Sequence, residues 1–202
     1  MIKRTLVRLS TLAVLLAAAT AASAHTGHGT HHLMEGLAHP FGLDHLLAML
    51  AVGVWSASAL QGAQRWAGPA SFLAAMTAGA ALGALGLALP FAEVGIAASV
   101  AVLGVMLLAG RQMPAPAGLV LIALAASLHG LAHGAEMPMS DSFGGSFAGS
   151  FAAYAAGFGL TTAALHVAGV GLGTVLARAQ AWVWRSAALA TTAAGLALMA
   201  RA

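Results

Sequence analysis

Residues 115–134 read APAGLVLIALAASLHGLAHG. The stretch contains no Asp, Glu, Lys or Arg. A helix of about 20 such residues, rising 1.5 Å per residue, crosses about 30 Å of hydrocarbon. The apolar run is continuous rather than alternating, which selects a membrane helix over a barrel strand. His129 and His133 stand one helical turn apart near its end. This one segment sets the class of fold and places imidazoles inside it.

Five further apolar runs lie at 43–61, 69–89, 92–110, 150–176 and 182–200. The whole chain has 202 residues, 60% of them hydrophobic and 6% charged. Its mean hydropathy is +0.91. A soluble domain carries about 25% charged residues, so this chain could not cover a water-facing surface. An ordinary globular enzyme, a nucleic-acid binder and a disordered protein are excluded. The basic pI reflects scattered arginines, not the basic stripe that nucleic-acid binding needs. Lys3 is the only lysine, so no Walker motif and no nucleotide site exists. There are no cysteines, hence no disulfides, thiolate metal sites or iron–sulfur clusters. The expected fold is an all-α integral membrane protein: a cleavable signal peptide followed by a six-helix transmembrane bundle.

Residues 1–24 read as the signal. Lys3, Arg4 and Arg8 form its positive region, Leu12 to Ala22 its apolar region, and Ala22-Ser23-Ala24 its cleavage site. An uncleaved first helix is the alternative, and both put residue 25 outside. An outer His-rich segment, 25–42, then precedes a single transmembrane domain, 43–202. Six spans put Arg65, Arg111, Arg178 and Arg185 inside and only Arg201 outside, as the positive-inside rule requires. Glu35, Glu93, Glu136 and Asp141 fall in outer segments. The expected location is a bacterial inner membrane, with both mature termini on the periplasmic side. Trp66, Trp182 and Trp184 mark inner span ends. Gly79/Gly83, Gly130/Gly134 and Gly169/Gly173 are small-xxx-small pairs that let helices approach closely.

Spans two, three and six hold no titratable side chain in their interiors and read as scaffold. The first polar cluster is His39-Pro40-Phe41-Gly42-Leu43-Asp44-His45. Pro40 or Gly42 breaks the backbone, so His39 can fold back toward Asp44 and His45; irregular backbone at membrane depth is tolerated where it lines a cavity. The plainer reading is a capping Asp with interfacial histidines. The second cluster is His129, His133 and Glu136, which share a helix face. Two imidazoles at i and i+4 can hold one divalent ion; a structural hydrogen-bond network is the alternative. The third runs along span five through Tyr154, Phe158, Thr161, Thr162 and His166. His166 is either a deeper ion station or a buried histidine bonded to a carbonyl. Outside lie His25, His28, His31 and His32, a weak metal-capture tract or a polar tail without function.

These motifs resemble the HupE/UreJ family. The resemblance rests on His39-Pro40, Gly42, Asp44-His45, Leu47-Ala48-Met49 and Val52-Gly53. It continues through His129-Gly130, Ala132-His133-Gly134, Glu136 and Pro138, then Tyr154, Gly157-Phe158 and Leu165-His166. It implies a permease for nickel, sometimes cobalt, serving hydrogenase or urease maturation proteins inside the cell. The HupE pattern sets five residues between its first His and Asp-His. Here Pro40 to Leu43 make four, the spacing of the nickel/cobalt transporter signature, to which this segment is also similar.

The resemblance accordingly implies an inner-membrane permease importing Ni²⁺ or Co²⁺ as substrate, with no resident cofactor. Asp44, His45, His129, His133 and Glu136 are expected to converge on one ion, with His39 at its mouth and His166 deeper. Helices one and four are expected side by side. Imidazole and carboxylate ligands suit Ni²⁺, Co²⁺ and Zn²⁺ alike, so the resemblance selects nickel. The expected partners are the ion and the lipid bilayer. An intramembrane metal hydrolase, with His/Asp-bound zinc activating water, is the rival reading; a metal-sensing or structural subunit is the third.

A reporter fused after Arg111 should be active only as a cytoplasmic fusion, and one after Ser142 only as an outer fusion; the reverse pattern would overturn the arginine argument. Replacing His25, His28, His31 and His32 with Ala should slow ⁶³Ni uptake at scarce nickel and matter little at high nickel. Equal loss at every concentration would contradict a role confined to raising the local ion concentration.

Overall fold

The computed structural model describes residues 33–135 and 145–202, all helix, turn and connecting loop, with no strand among them. The signal segment, the histidine tract 25–32 and Glu136 lie outside the described residues. Among the described residues seven α-helices follow one another: α1 (Leu33–Ala38), α2 (Leu43–Ala59), α3 (Ala67–Ala84), α4 (Ala92–Ala109), α5 (Ala115–Ala135), α6 (Gly145–Leu176) and α7 (Ala181–Met199). Helices α2 to α7 occupy the six apolar runs.

Among the described residues four segments are long and apolar enough to cross a bilayer: Gly62–Ala84, Ala92–Ala109, Ala115–Ala135 and Ala152–Leu176. The pair Leu33–Phe41 and Leu43–Ala59, bent by 72°, makes a fifth if read as one broken span. Six spans were expected. The second run stops at Ala84 rather than 89, because Gly86 takes φ +94° and its loop closes the helix end. Gly86 N–H donates to the Gly83 carbonyl and Leu87 N–H to that of Leu82, a Schellman motif. Helix α7 has the length, but Trp182, Trp184, Arg185, Thr191 and Thr192 make it less apolar than the four. Around the bundle, apolar side chains such as Leu124, Leu160, Val167 and Leu189 are more than half exposed within their helices. An outer surface of this kind suits lipid rather than water.

Glycine decides which helices touch. Helix α5 lies on α3, α7 on α4, and both α1 and α2 on α6. A Cβ at Gly79 or Gly83 of α3 would collide with the carbonyls of Ser127 or Leu131, and one at Gly130 or Gly134 of α5 with those of Met76 or Ala80. The two small-xxx-small pairs thus face each other. Gly169 and Gly173 of α6 meet α2 at Leu50 and Val54, while Gly53 of α2 meets the His166 carbonyl. Lipid tails are as apolar as Leu, so burial alone would not hold these helices together; close backbone packing does.

Arg65, Arg111, Arg178 and Arg185 gather at one end, and Arg201 follows α7 at the other. Trp184 Nε1–H of α7 donates to the Leu107 carbonyl of α4 at 2.7 Å. A cleft there is lined by Ser58, Gly110, Gln112, Ala177, Ala179 and Arg185. Arg65, Arg111 and Arg178 sit in the connections at this end, and the histidine motifs lie toward the other.

Gly134→Val should therefore lower thermal stability in detergent by more than the ~1–3 kcal/mol of ordinary overpacking, since backbone must move. Gly171→Ala, at a helical site with nothing within 4 Å, should stabilise by ~0.5–1 kcal/mol through helix propensity. Equal effects would show that the glycine contacts do not hold the bundle.

Candidate metal site

Pro40 and Gly42 break the chain between α1 and α2. His39–Phe41 forms a single 3₁₀ turn, and Gly42 adopts φ −50°, ψ 139°, outside helical geometry, before α2 begins. The chain therefore turns back, and His39 faces the first turn of α2. Helix α1 is seated on α6, with Gly36 against the Tyr154 backbone and Thr161 Oγ1–H donating to the Leu37 carbonyl at 2.9 Å. Residues 33–42 are thus part of the packed structure rather than a free outer segment.

His39, His45 and His133 converge: one nitrogen from each ring lies within 4.8 Å of the others. Ring centroids are 5.3 Å apart for His39–His45, 4.6 Å for His39–His133 and 4.7 Å for His45–His133. His45 is fully buried, whereas His39 and His133 are half-buried and form the mouth. Phe158 touches all three rings, and Tyr154 stacks on Phe158 beside His39. These side chains follow the i, i+4 stripe Tyr154, Phe158, Thr162, His166 on α6.

The hydrogen bonds assign the protons. His45 Nδ1–H donates to Asp44 Oδ1 at 2.8 Å, and the same oxygen accepts the His45 backbone N–H at 2.8 Å. In the neutral ring, Nε2 of His45 then carries a lone pair. It faces Nε2 of His133 at 2.6 Å, so His133 is the donor. Carboxylate–histidine pairs of this kind orient metal-ligating imidazoles and raise their basicity. Asp44 therefore stands behind His45 as its orienting partner.

His129 lies one turn deeper on α5, about 6 Å along the axis. Its ring is 4.7 Å from that of His45, nearly perpendicular, and its nitrogens are not among the three that converge. Ser99 Oγ–H donates to the Ile96 carbonyl at 2.7 Å, so Ser99 Oγ accepts from His129 Nε2–H at 3.1 Å. Nδ1 of His129 is left bare, buried and without a partner. His166 is deeper again: its Nδ1–H donates to the Thr162 carbonyl at 2.8 Å, and its Nε2 is bare and buried.

The expected single cluster is thus divided. His39 is a full member of the trio, His129 sits below it, and Asp44 acts through His45. Helices α2 and α5 are not a closely packed pair: α5 lies on α3 and α2 on α6, and the imidazoles reach across the gap. Two contributors come from helices read as scaffold, Ser99 on α4 and Phe72 on α3, whose ring contacts His129 and His166. A lone serine or phenylalanine in an apolar run gives no pattern by which either could be found.

The trio is close to the size of a first-row divalent ion. Metal–nitrogen bonds of about 2.1 Å at 90–109° put two ligand nitrogens about 3.0–3.4 Å apart. From 2.6 Å, the His45 and His133 rings need to part by less than ~1 Å and the proton between them to move to Nδ1 of His133. Three neutral imidazoles suit Ni²⁺, Co²⁺, Cu²⁺ or Zn²⁺ and disfavour Mg²⁺ and Ca²⁺.

A profile of the HupE / UreJ protein family matches residues 12–198. Protein HupE of Rhizobium leguminosarum bv. viciae is 40% identical over 195 residues, spanning 95% of this chain and 97% of its own length. No solved structure matches. The match runs through every motif that builds the histidine site, and the chain belongs to the HupE/UreJ family.

Proposed function

We propose that the protein is an inner-membrane permease that takes up Ni²⁺, with Co²⁺ as the alternative cargo, for hydrogenase or urease metallocentre assembly. The observation behind this reading is the trio His39, His45 and His133, assembled from the α1–α2 break and α5. The nickel assignment follows from the family resemblance, because ligand type alone does not distinguish Ni²⁺ from its neighbours in the Irving–Williams series. In this reading six spans cross the membrane, the arginine end is cytoplasmic and the histidine mouth is periplasmic. Glu136, three residues beyond His133, would add an acidic group on the outer side.

The half-buried rings of His39 and His133 receive the ion, and His45 becomes its innermost ligand. The ion takes the place of the proton between His45 and His133 once His133 shifts to the tautomer that carries its proton on Nδ1, so all three rings stay neutral. Water fills the remaining coordination positions, which keeps binding weak enough for release. Three imidazoles also suit the intramembrane hydrolase reading, in which a bound zinc would activate water. Transport is favoured because the bare imidazole nitrogens continue inward past the trio at His129 and His166, where a hydrolytic centre would need none.

His45→Ala or His133→Ala should abolish most ⁶³Ni uptake in cells while the protein still inserts. Asp44→Asn should weaken metal affinity about 10–100-fold, as loss of an orienting partner does. Acidification should weaken uptake, because a protonated imidazole cannot bind metal. Metal-dependent hydrolysis without uptake would transfer the case to the enzyme reading.

A further inference from the structure

Below the trio, the buried interior contains polar atoms that nothing satisfies. Nδ1 of His129, Oγ1 of Thr162, Nε2 of His166, Nε1 of Trp55 and Oγ of Ser56 are all buried without a hydrogen-bond partner. A buried donor or acceptor left unmade costs about 1–3 kcal/mol, so five in a chain this apolar call for an explanation.

They also follow the chain inward. On α2, His45 and Ser56 are eleven residues apart and lie on one face, as three helical turns require. On α6, His166 lies eight residues, about 12 Å, beyond Phe158. On α3, Gly68 and Phe72 share a face as i and i+4. Gly68 is pressed against the Ser56 hydroxyl, and the Phe72 ring is 5.0 Å from the His166 ring and 6.1 Å from that of His129. His129 is about 6 Å below the trio on its own helix. Phe72 is wholly buried and touches the last imidazole of the outer group and the first of the inner one.

We propose that Phe72 is an apolar septum between two ion stations, the outer histidines above it and an inner station at Nε2 of His166 below it. The proposal rests on the permease reading and adds a gate and a second site to it. The Thr162 carbonyl pins His166 in the tautomer whose Nε2 can take a metal, as a backbone acceptor does for ligating histidines. Oγ1 of Thr162 and Oγ of Ser56 supply oxygen donors above and below that level. The phenyl ring offers the ion nothing in exchange for its ligands, so an ion cannot rest beside it. Hydrophobic constrictions gate other channels in this manner. Movement of one side chain, not of the helices, would open the path.

The test compares ⁶³Ni uptake by proteoliposomes with equilibrium Ni²⁺ binding to the detergent-solubilised protein. Phe72→Ala should raise the uptake rate, and Phe72→Trp should lower it about tenfold, as expected for a constriction widened or filled. Both should leave the tightest Ni²⁺ site within about twofold of wild type, because Phe72 does not touch the trio. Phe72→Leu, which preserves apolar volume, should fall between wild type and Ala and guards against a collapsed core. His166→Ala should remove one bound Ni²⁺ per chain and slow uptake, with the tighter site retained. Wild-type rates in both Phe72→Ala and Phe72→Trp, beside a normal wild-type control, would overturn the septum alone. A loss of the tightest site in every Phe72 variant would make Phe72 a packing residue of the outer site and also overturn it. No uptake by wild-type proteoliposomes would end both the permease reading and this inference.

Discussion

The hydrogen bond from His45 Nδ1–H to Asp44 sets the polarity of the whole interior. It fixes one imidazole tautomer, points a lone pair at His133, and thereby makes His133 the donor in the 2.6 Å contact. A carboxylate is costly inside a bilayer. Asp44 is tolerated because it lies in the first turn of α2, where exposed backbone N–H groups favour negative charge, and because it accepts two bonds there. That position depends on α2 starting at Leu43, and the start depends on the break at Pro40 and Gly42. The same break turns His39 back onto the site. One local irregularity therefore supplies the ligand, the orienting acid and the bend.

Glycine does the corresponding work for the rest of the bundle. Imidazole rings reach only a few ångströms, so histidines on non-adjacent helices meet only where the intervening helices are thin. The reciprocal glycine pairs of α3 and α5 bring those backbones into contact, and Gly53, Gly169 and Gly173 do so for α2 and α6. The trio, drawn from the α1–α2 break and α5, closes because α6 and α3 pack tightly on either side. Phe158 then packs beside all three rings.

The sequence made the helical class, the apolar runs, the glycine pairs and the histidine motifs legible, because each is a local pattern: length without charge, small residues at i and i+4, imidazoles at i and i+4. The fold-back of His39 was legible too, from Pro40 and Gly42. What sequence could not resolve was partner choice between helices. Two motifs at the same depth suggested that their helices adjoin, yet backbone packing is decided by glycine faces elsewhere, and those place α5 on α3. Ser99 escaped notice for the same reason. Nothing in residues 92–110 signals that one hydroxyl will meet His129, since that contact exists only once α4 is placed. The division of the histidines into a trio and deeper single rings likewise depends on tautomers, which hydrogen-bond partners set and spacing does not.

In the proposed permease, the spacing of the trio bears on how the site can be selective and still let go. Rings held at 2.6 Å by a shared proton are too close for a metal and are stable without one, so the closed site needs no resident ion. Entry exchanges the imidazole–imidazole hydrogen bond for metal–nitrogen bonds, with the His133 proton moved to its Nδ1. The net gain is the difference between two bound states rather than the full strength of three metal–nitrogen bonds. Release is then eased by reversal of the same exchange, and by further bare nitrogens at His129 and His166 that can compete for the ion. A rigid tetrahedral cage would bind more tightly and transport more slowly. Half-buried rings at the mouth, one fully buried ring behind them and an orienting acid behind that form a graded arrangement, in which each ligand can be given up before the next is fully made.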